Sequence, residues 1–266
     1  MLYFITSQNK AIMKTGFLWI VFLIISFSCN HHNEVIPKDC EELKAQGIID
    51  SFPYPIRPGS PEWANLRNQE EKYQAVNVPD NILQNMCTHG LVYTCVYCPL
   101  FLNLTVFNDI RSGFMALVDN INSYAELIDR IDAGNELFEY YKTLFDTTLY
   151  NITLFSIQFQ VYNTEIFFAQ QEFLGKLNTN ELQIVLTETY NKLLEKEKHN
   201  LQSIGIDGSY YLLSNILYYN LEYGPLIDFI ERNNLFLFLD DCRLINGQSA
   251  DSVKYYSELY IQEVIN

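Results

Sequence analysis

The sequence is short of basic residues, glycine and proline, and each shortage excludes a class of protein. Only 17 of the 266 residues are Lys or Arg, against 32 Asp or Glu, which gives a formal net charge of −15. A nucleic-acid-binding protein needs clustered Lys and Arg to neutralise phosphates, so we expect no nucleic-acid partner. The 11 glycines and 8 prolines are too few for a collagen, a low-complexity linker protein or a turn-rich β-sandwich. The hydrophobic fraction of 48% is sufficient for a globular core.

The sequence also lacks the common catalytic motifs. It contains no Gly-x-Ser-x-Gly, no glycine-rich phosphate loop and no His-Glu-x-x-His. We therefore predict no catalytic residue, no resident metal and no cofactor. A glycan or peptide hydrolase that uses paired carboxylates remains an alternative, because a sequence does not give the separation of two carboxylates across a cleft.

The N-terminus predicts export and attachment to a membrane. Lys14, directly after a possible start at Met13, precedes an apolar run of about ten residues and then Ser28-Cys29. This arrangement is typical of a signal peptide, since the run is shorter than the roughly 20 residues of a membrane span. Ser28-Cys29 resembles the lipobox of bacterial lipoproteins, which implies that residues 1–28 are removed and that Cys29 is lipidated. We expect a protein anchored in the cell envelope, on the periplasmic face or the outer-membrane surface.

The distribution of proline divides the rest of the chain. Five of the eight prolines lie between residues 37 and 61. Proline-rich segments are extended and semi-rigid, so residues 29–61 are predicted to be a tether. Proline inside a helix costs about 3 kcal/mol, and its scarcity in residues 62–266 favours a single helical domain there.

An all-α fold is predicted by recurring helix signals. Ser60-Pro61 is typical of a helix start, and we expect that helix to run to about Tyr73. Asn178-x-x-Glu181 predicts another start. The apolar run from Leu149 to Leu174 predicts a central buried helix, with a strand pair as the alternative because the run is rich in β-branched and aromatic residues. We expect antiparallel helix pairs packed as a curved helical array or an irregular bundle.

Two cysteines form the most specific chemical motif, Cys95-Val96-Tyr97-Cys98. The favoured interpretations are a structural disulfide or two packed thiols. A redox-active pair is an alternative, but that chemistry usually occurs on a βαβ scaffold, of which the flanking sequence has no sign. A zinc site that adds Cys87 and His89 is a further alternative, with an unusual ligand spacing.

Tyrosine is abundant, at 19 residues, and several tyrosines are adjacent in sequence. In such a pair one ring can face the core while the other faces solvent, where tyrosine is favoured for recognition. The simpler alternative is tyrosine at helix–helix boundaries. The candidate recognition surface consists of Tyr210, Tyr211, Tyr218 and Tyr219. The other adjacent pairs are Tyr140-Tyr141 and Tyr255-Tyr256.

One segment carries a resemblance to other proteins. From Pro79 to Leu100 the chain follows the pattern Pro-x-x-Ile-Leu-x-x-Met-x-Thr-x-x-Leu-Val-x-Thr-Cys-x-x-x-Pro-Leu. With Phe107-Asn108 and Gly113-Phe114, this resembles a group of uncharacterised exported proteins of Bacteroidetes, over residues 77–145. Members of that group tend to have tyrosine at the position of Cys98. The resemblance implies export and helical structure, and it implies no activity or catalytic residue.

Together these features predict a non-enzymatic, lipid-anchored envelope protein that binds another protein. Because the chain is strongly acidic, we expect its partner to present a basic patch. A narrower version is an envelope immunity or inhibitor protein that blocks a basic toxin or hydrolase.

Overall fold

The computed structural model describes residues 40–144, 154–198, 205–241 and 246–265, and all regular secondary structure in these ranges is helical. The prediction of an all-α fold is confirmed. The predicted central helix is present from Leu154 to Phe168, so the strand-pair alternative is wrong for that part.

The helices are numbered here in chain order over the described ranges. Those before residue 145 are α1 (Cys40–Ala45), α2 (Pro61–Ala64), α3 (Gln69–Val76), α4 (Asp80–Leu83), α5 (Thr88–Val96), α6 (Ile110–Asn120), α7 (Asn122–Asp129) and α8 (Ala133–Thr143), with a 3₁₀ segment at Phe101–Thr105. Those after it are α9 (Leu154–Phe168), α10 (Gln171–Leu174), α11 (Thr179–Lys198), α12 (Ile206–Asn215), α13 (Gly224–Asn233), α14 (Leu237–Asp240) and α15 (Gly247–Tyr260). Two π-helical turns, Ile216–Asn220 and Ile261–Ile265, continue α12 and α15.

Local capping residues explain where several helices begin. The Ser60 side chain accepts a hydrogen bond from the Trp63 N–H at the start of α2, as predicted. That helix ends earlier than expected, because the Asn68 side chain accepts from the Glu71 N–H and starts α3 instead. Asn178 and Glu181 cap each other at α11, which confirms the second predicted start.

The helices pack around one hydrophobic core, with α12 at its centre. Helix α12 contacts α9, α11, α14 and α15, whereas α5 packs mainly on α7 and α8. In a helical array each repeat touches only its neighbours in sequence. The contacts of α12 with helices distant in sequence are those of an irregular bundle.

Residues 40–61 belong to this helical unit, so the prediction that the tether extends to residue 61 is wrong. Cys40 is joined to Cys87 by a disulfide. Tyr54 is buried and its hydroxyl donates to the Thr94 carbonyl of α5, 3.1 Å away. Asp50 accepts a hydrogen bond from the Cys87 N–H. Its carboxylate occupies the space that a side chain at position 90 would fill, which is free because residue 90 is glycine. The prolines exclude regular helix between α1 and α2, and the side chains of Cys40, Asp50 and Tyr54 hold this segment against the bundle.

The predicted signal peptide, Cys29 and the first part of the predicted tether lie outside the described residues. Among the helices of the described ranges, none is long and apolar enough to cross a membrane.

Candidate functional site

Two of the four tyrosines of the candidate recognition surface are buried. Tyr210 and Tyr211 lie on α12 with 5% and 3% of their surface exposed, so their prediction as recognition residues is wrong. The reason is the central position of α12, which is covered by other helices on both sides, so neighbouring residues are buried together. Tyr218 is half-buried against the core, and Tyr219 is exposed.

Cys95 and Cys98 are free thiols, and both are buried. The packed-thiol interpretation is confirmed, and the disulfide between them is wrong. The Cys95 thiol donates to the Ser123 carbonyl, 3.4 Å away. Burial raises the pKa of both thiols. Since the thiolate is the reactive form, this environment opposes the redox-active alternative.

The zinc alternative fails at Cys87, because that residue is in the disulfide with Cys40. The His89 ring instead contacts the Tyr93 ring, and its Nδ1 lies 3.5 Å from a carboxylate oxygen of Glu136. Within the described ranges, no group of three or more Cys, His, Asp or Glu residues could hold a metal ion.

A buried ionic network lies between α9, α11 and α12, and no sequence motif predicted it. Lys196 of α11 donates to both carboxylate oxygens of Glu165 of α9, at 2.8 and 2.7 Å. It also donates to the Gly205 carbonyl at 2.6 Å and to the Ser209 hydroxyl at 2.8 Å. The hydroxyls of Ser209 and Tyr141 donate to the same Glu165 oxygen at 2.8 and 2.7 Å.

The chemistry of this network favours stability over catalysis. A serine and a neighbouring lysine can act as a nucleophile and its general base. Here Ser209, Lys196 and Glu165 are all buried. The Ser209 hydroxyl already donates to a carboxylate. Burial lowers the pKa of Lys196, against the opposing attraction of Glu165. We therefore assign the network to holding three helices together.

An open groove between α13 and α15 is the candidate functional site. Its volume is about 550 Å³, within the range of roughly 300–1,000 Å³ for ligand pockets. The Phe229 ring of α13 and the Tyr256 ring of α15 are both half-buried, and their centroids are 5.7 Å apart. The lining residues are Gly224, Pro225, Asp228, Phe229, Arg232, Asn233 and Tyr256.

The regular spacing of α13 aligns these residues along the helix. Positions 225, 228, 229, 232 and 233 form one stripe, and Leu226 and Ile230, on the adjoining side of the helix, are buried in the core. Arg232 donates to Asp228 one turn earlier, at 2.7 Å, and both side chains are exposed. The groove thus has an aromatic floor and a charged outer wall.

A left-handed residue lies before and after α13. Glu222, before the helix, has φ of 46°, and Asn234, after it, has φ of 52°. In the described ranges these are the two residues other than glycine with positive φ. Asparagine is common at the end of a helix in this conformation, but glutamate is rarely left-handed. Such positions concentrate at functional sites, which is a second reason to place the site here.

A second tyrosine of α15 is exposed beside the groove, whereas the tyrosine that precedes α13 is buried in the core. The exposed Tyr255 ring lies 5.2 Å from the Tyr256 ring. Tyr223 precedes Gly224, and its hydroxyl donates to Glu263 at 3.4 Å. The adjacent pair Tyr255-Tyr256 is a sequence signal that points to this surface, whereas Asp228, Phe229 and Arg232 carry none.

The chain gives no match to a family model, a curated protein or a solved structure. Its site is therefore assigned from its own geometry. In the described part of the chain, the groove of α13 and α15 combines a cavity, two half-buried aromatic rings with exposed Tyr255 beside them, and left-handed backbone before and after α13.

Proposed function

We propose that this protein is an exported, lipid-anchored module of the cell envelope that binds another protein and carries out no catalysis. The observation that carries the proposal is the groove between α13 and α15, with its aromatic floor and exposed Tyr255. Aromatic side chains that are part buried and part exposed are favoured at protein–protein interfaces. Because the chain is strongly acidic, we expect its partner to present a basic patch of complementary charge.

The proposed location in the envelope rests on two features. The first is the N-terminal sequence, in which a short apolar segment ends at Cys29. The second is the disulfide between Cys40 and Cys87, since such bonds persist in oxidising compartments and are rare in the cytosol. Lipid on Cys29 would hold the helical domain at the membrane through the short segment that precedes Cys40.

Site-directed cross-linking in native membranes tests the binding function. A photoreactive residue replaces exposed Tyr255 beside the groove, and a matched variant carries it at exposed Val106, after the 3₁₀ segment. We expect one dominant cross-linked partner from position 255 and none from position 106. No adduct should form when the membranes are irradiated at about 1 M salt, where the Debye length is about 3 Å and charged contacts are screened.

Two results would contradict the proposal. One is the absence of any adduct from position 255 in replicate membranes. The other is equal adducts from both positions, because that pattern indicates non-specific contact. An envelope immunity or inhibitor protein is the narrower form of the proposal, and a toxin or hydrolase as the captured partner would favour it. The hydrolase alternative has no observation in its favour in the described part of the chain, and we do not propose it.

A further inference from the structure

We infer that the groove between α13 and α15 binds an extended segment of the partner protein through an arginine or lysine side chain. In this inference Asp228 receives the partner's cation and releases its own Arg232. The inference rests on the proposed binding function and specifies the chemistry that the groove recognises.

The dimensions of the groove fit a short extended segment. The lining stripe runs from Pro225 to Asn233, eight helical steps of 1.5 Å, or about 12 Å. An extended chain advances about 3.3 Å per residue, so about four residues span the groove. Gly224, Pro225, Asp228, Arg232 and Asn233 are exposed, so the groove is open to solvent along its length.

The aromatic floor suits the side chain of a basic residue. The hydrocarbon stem of arginine or lysine packs on apolar surface, and its charged group is attracted to the face of an aromatic ring. The same protein uses this contact elsewhere: the Lys192 ammonium lies 5.0 Å from the centre of the Tyr141 ring. In the groove, the Phe229 and Tyr256 rings supply two such surfaces beside a carboxylate.

The charge around the groove selects a cation over an anion. The charged residues that line the groove are Asp228 and Arg232, which are paired with each other, and Glu231 of the same helix lies outside the lining. Glu222 is exposed just before the helix, and Glu263 contacts Tyr223 at its start. An anionic segment would meet this field and the net charge of −15 of the chain. A cationic segment would be attracted by both.

The Asp228–Arg232 ion pair is suited to exchange. Exposed pairs one helical turn apart contribute little stability, so replacing one cation by another costs little. Arg232 therefore competes with the partner for Asp228. The competition therefore predicts opposite effects: removal of Asp228 should lower the affinity for the partner, and removal of Arg232 should raise it.

Fluorescence anisotropy with short peptides on the full-length protein tests the inference. The probe is a labelled pentapeptide of glycine and proline with one central arginine, compared with versions that carry lysine, uncharged citrulline or glutamate. We expect the arginine and lysine peptides to bind and the citrulline and glutamate peptides to bind at least about fivefold more weakly. D228N should weaken binding of the arginine peptide about fivefold, and R232Q should strengthen it about twofold or more.

The matched control is E139Q, on α8. Glu139 is also an exposed carboxylate in an exposed intrahelical ion pair, with Lys142, so its removal changes the net charge equally. We expect E139Q to leave the affinity unchanged. An equal effect of E139Q and D228N would assign the affinity to net charge and overturn the inference.

Other results would also overturn it. Weaker binding by R232Q, or preferential binding of the glutamate peptide, would assign the groove to an anionic segment. Self-association of the protein that Y256A abolishes would assign it to a second copy of the chain. Absence of peptide binding together with cross-linking of a partner at position 255 would reject this inference and leave the proposed binding function intact.

Discussion

Two ion pairs of this protein have the same chemistry and opposite surroundings. Glu165 and Lys196 have side-chain exposures of 0% and 3%, and their pair is surrounded by helices. Asp228 and Arg232, in the groove, have exposures of 60% and 75%. Each pair joins a carboxylate to a cation at 2.7 Å. The surroundings decide the role: a buried charge must keep its partner, whereas an exposed charge can exchange it for another.

The buried pair is complete in its hydrogen bonds. Glu165 accepts from Lys196, Ser209 and Tyr141, so its carboxylate is satisfied without water. Tyr141 remains protonated because burial, and then the neighbouring Glu165 charge, raises its pKa. Loss of one member of such a network leaves the other charge unpaired inside the protein, which is costly.

The largest expected effect is therefore that of K196M. This substitution leaves the Glu165 carboxylate buried without its counter-ion, and we expect the free energy of unfolding to fall by about 3–5 kcal/mol. Denaturant unfolding followed by circular dichroism measures the change. The same substitution should leave peptide binding in the groove unchanged wherever the protein is folded.

The double variant E165L/K196M sharpens this test. Replacing both members of a buried pair by apolar residues is often neutral or stabilising, so the double variant should recover much of the loss. If instead the double variant unfolds as readily as K196M, the network contributes through packing and its charges have no special role.

A smaller effect is expected where a glycine contacts the buried network. A Cβ at Gly208 would lie 2.8 Å from Glu165 Oε2 and 3.1 Å from the Tyr162 carbonyl. The carboxylate cannot yield, because three donors hold it, so G208A should lower the free energy of unfolding by about 1–3 kcal/mol.

The matched control for G208A is G224A in the groove. Gly224 also lies in a helix, and apart from its chain neighbours and the backbone of its own helix no heavy atom lies within 4 Å of its Cβ position. We expect G224A to change the free energy of unfolding by less than about 1 kcal/mol, because the entropy that alanine removes from the unfolded chain opposes the contact of its Cβ with Pro225. A destabilisation by G224A equal to that by G208A would show that the two regions do not differ in packing.

The parts of the fold that depend on local interactions could be predicted from the sequence. Ser60 before Pro61, and Asn178 with Glu181, are capping residues whose partners lie within three residues, and they cap α2 and α11 as expected. Glu188 and Lys192, four residues apart on α11, form the ion pair that their spacing predicts. These features need no knowledge of the tertiary structure.

The two sites depend on residues that are far apart in sequence, so local patterns did not reveal them. Glu165 meets Lys196 and Ser209 across 31 and 44 positions. Phe229 and Tyr256 meet only because α13 and α15 pack together. The adjacent tyrosines Tyr210 and Tyr211 were misleading for the same reason, since burial of both depends on the helices that cover α12.

The smallest expected effect on stability is that of D228N in the groove. An exposed ion pair one helical turn apart contributes about 0.3–0.5 kcal/mol, and the free energy of unfolding should fall by no more than that. High salt should reduce the difference between D228N and the wild type further, because exposed charges are screened. Denaturant unfolding at low and at high salt measures both values.

A loss above about 1 kcal/mol would mean that Asp228 is a structural residue, and the contrast between the two ion pairs would then fail. A small loss, together with a fivefold loss of peptide affinity, would mean that the same carboxylate contributes little to folding and much to recognition.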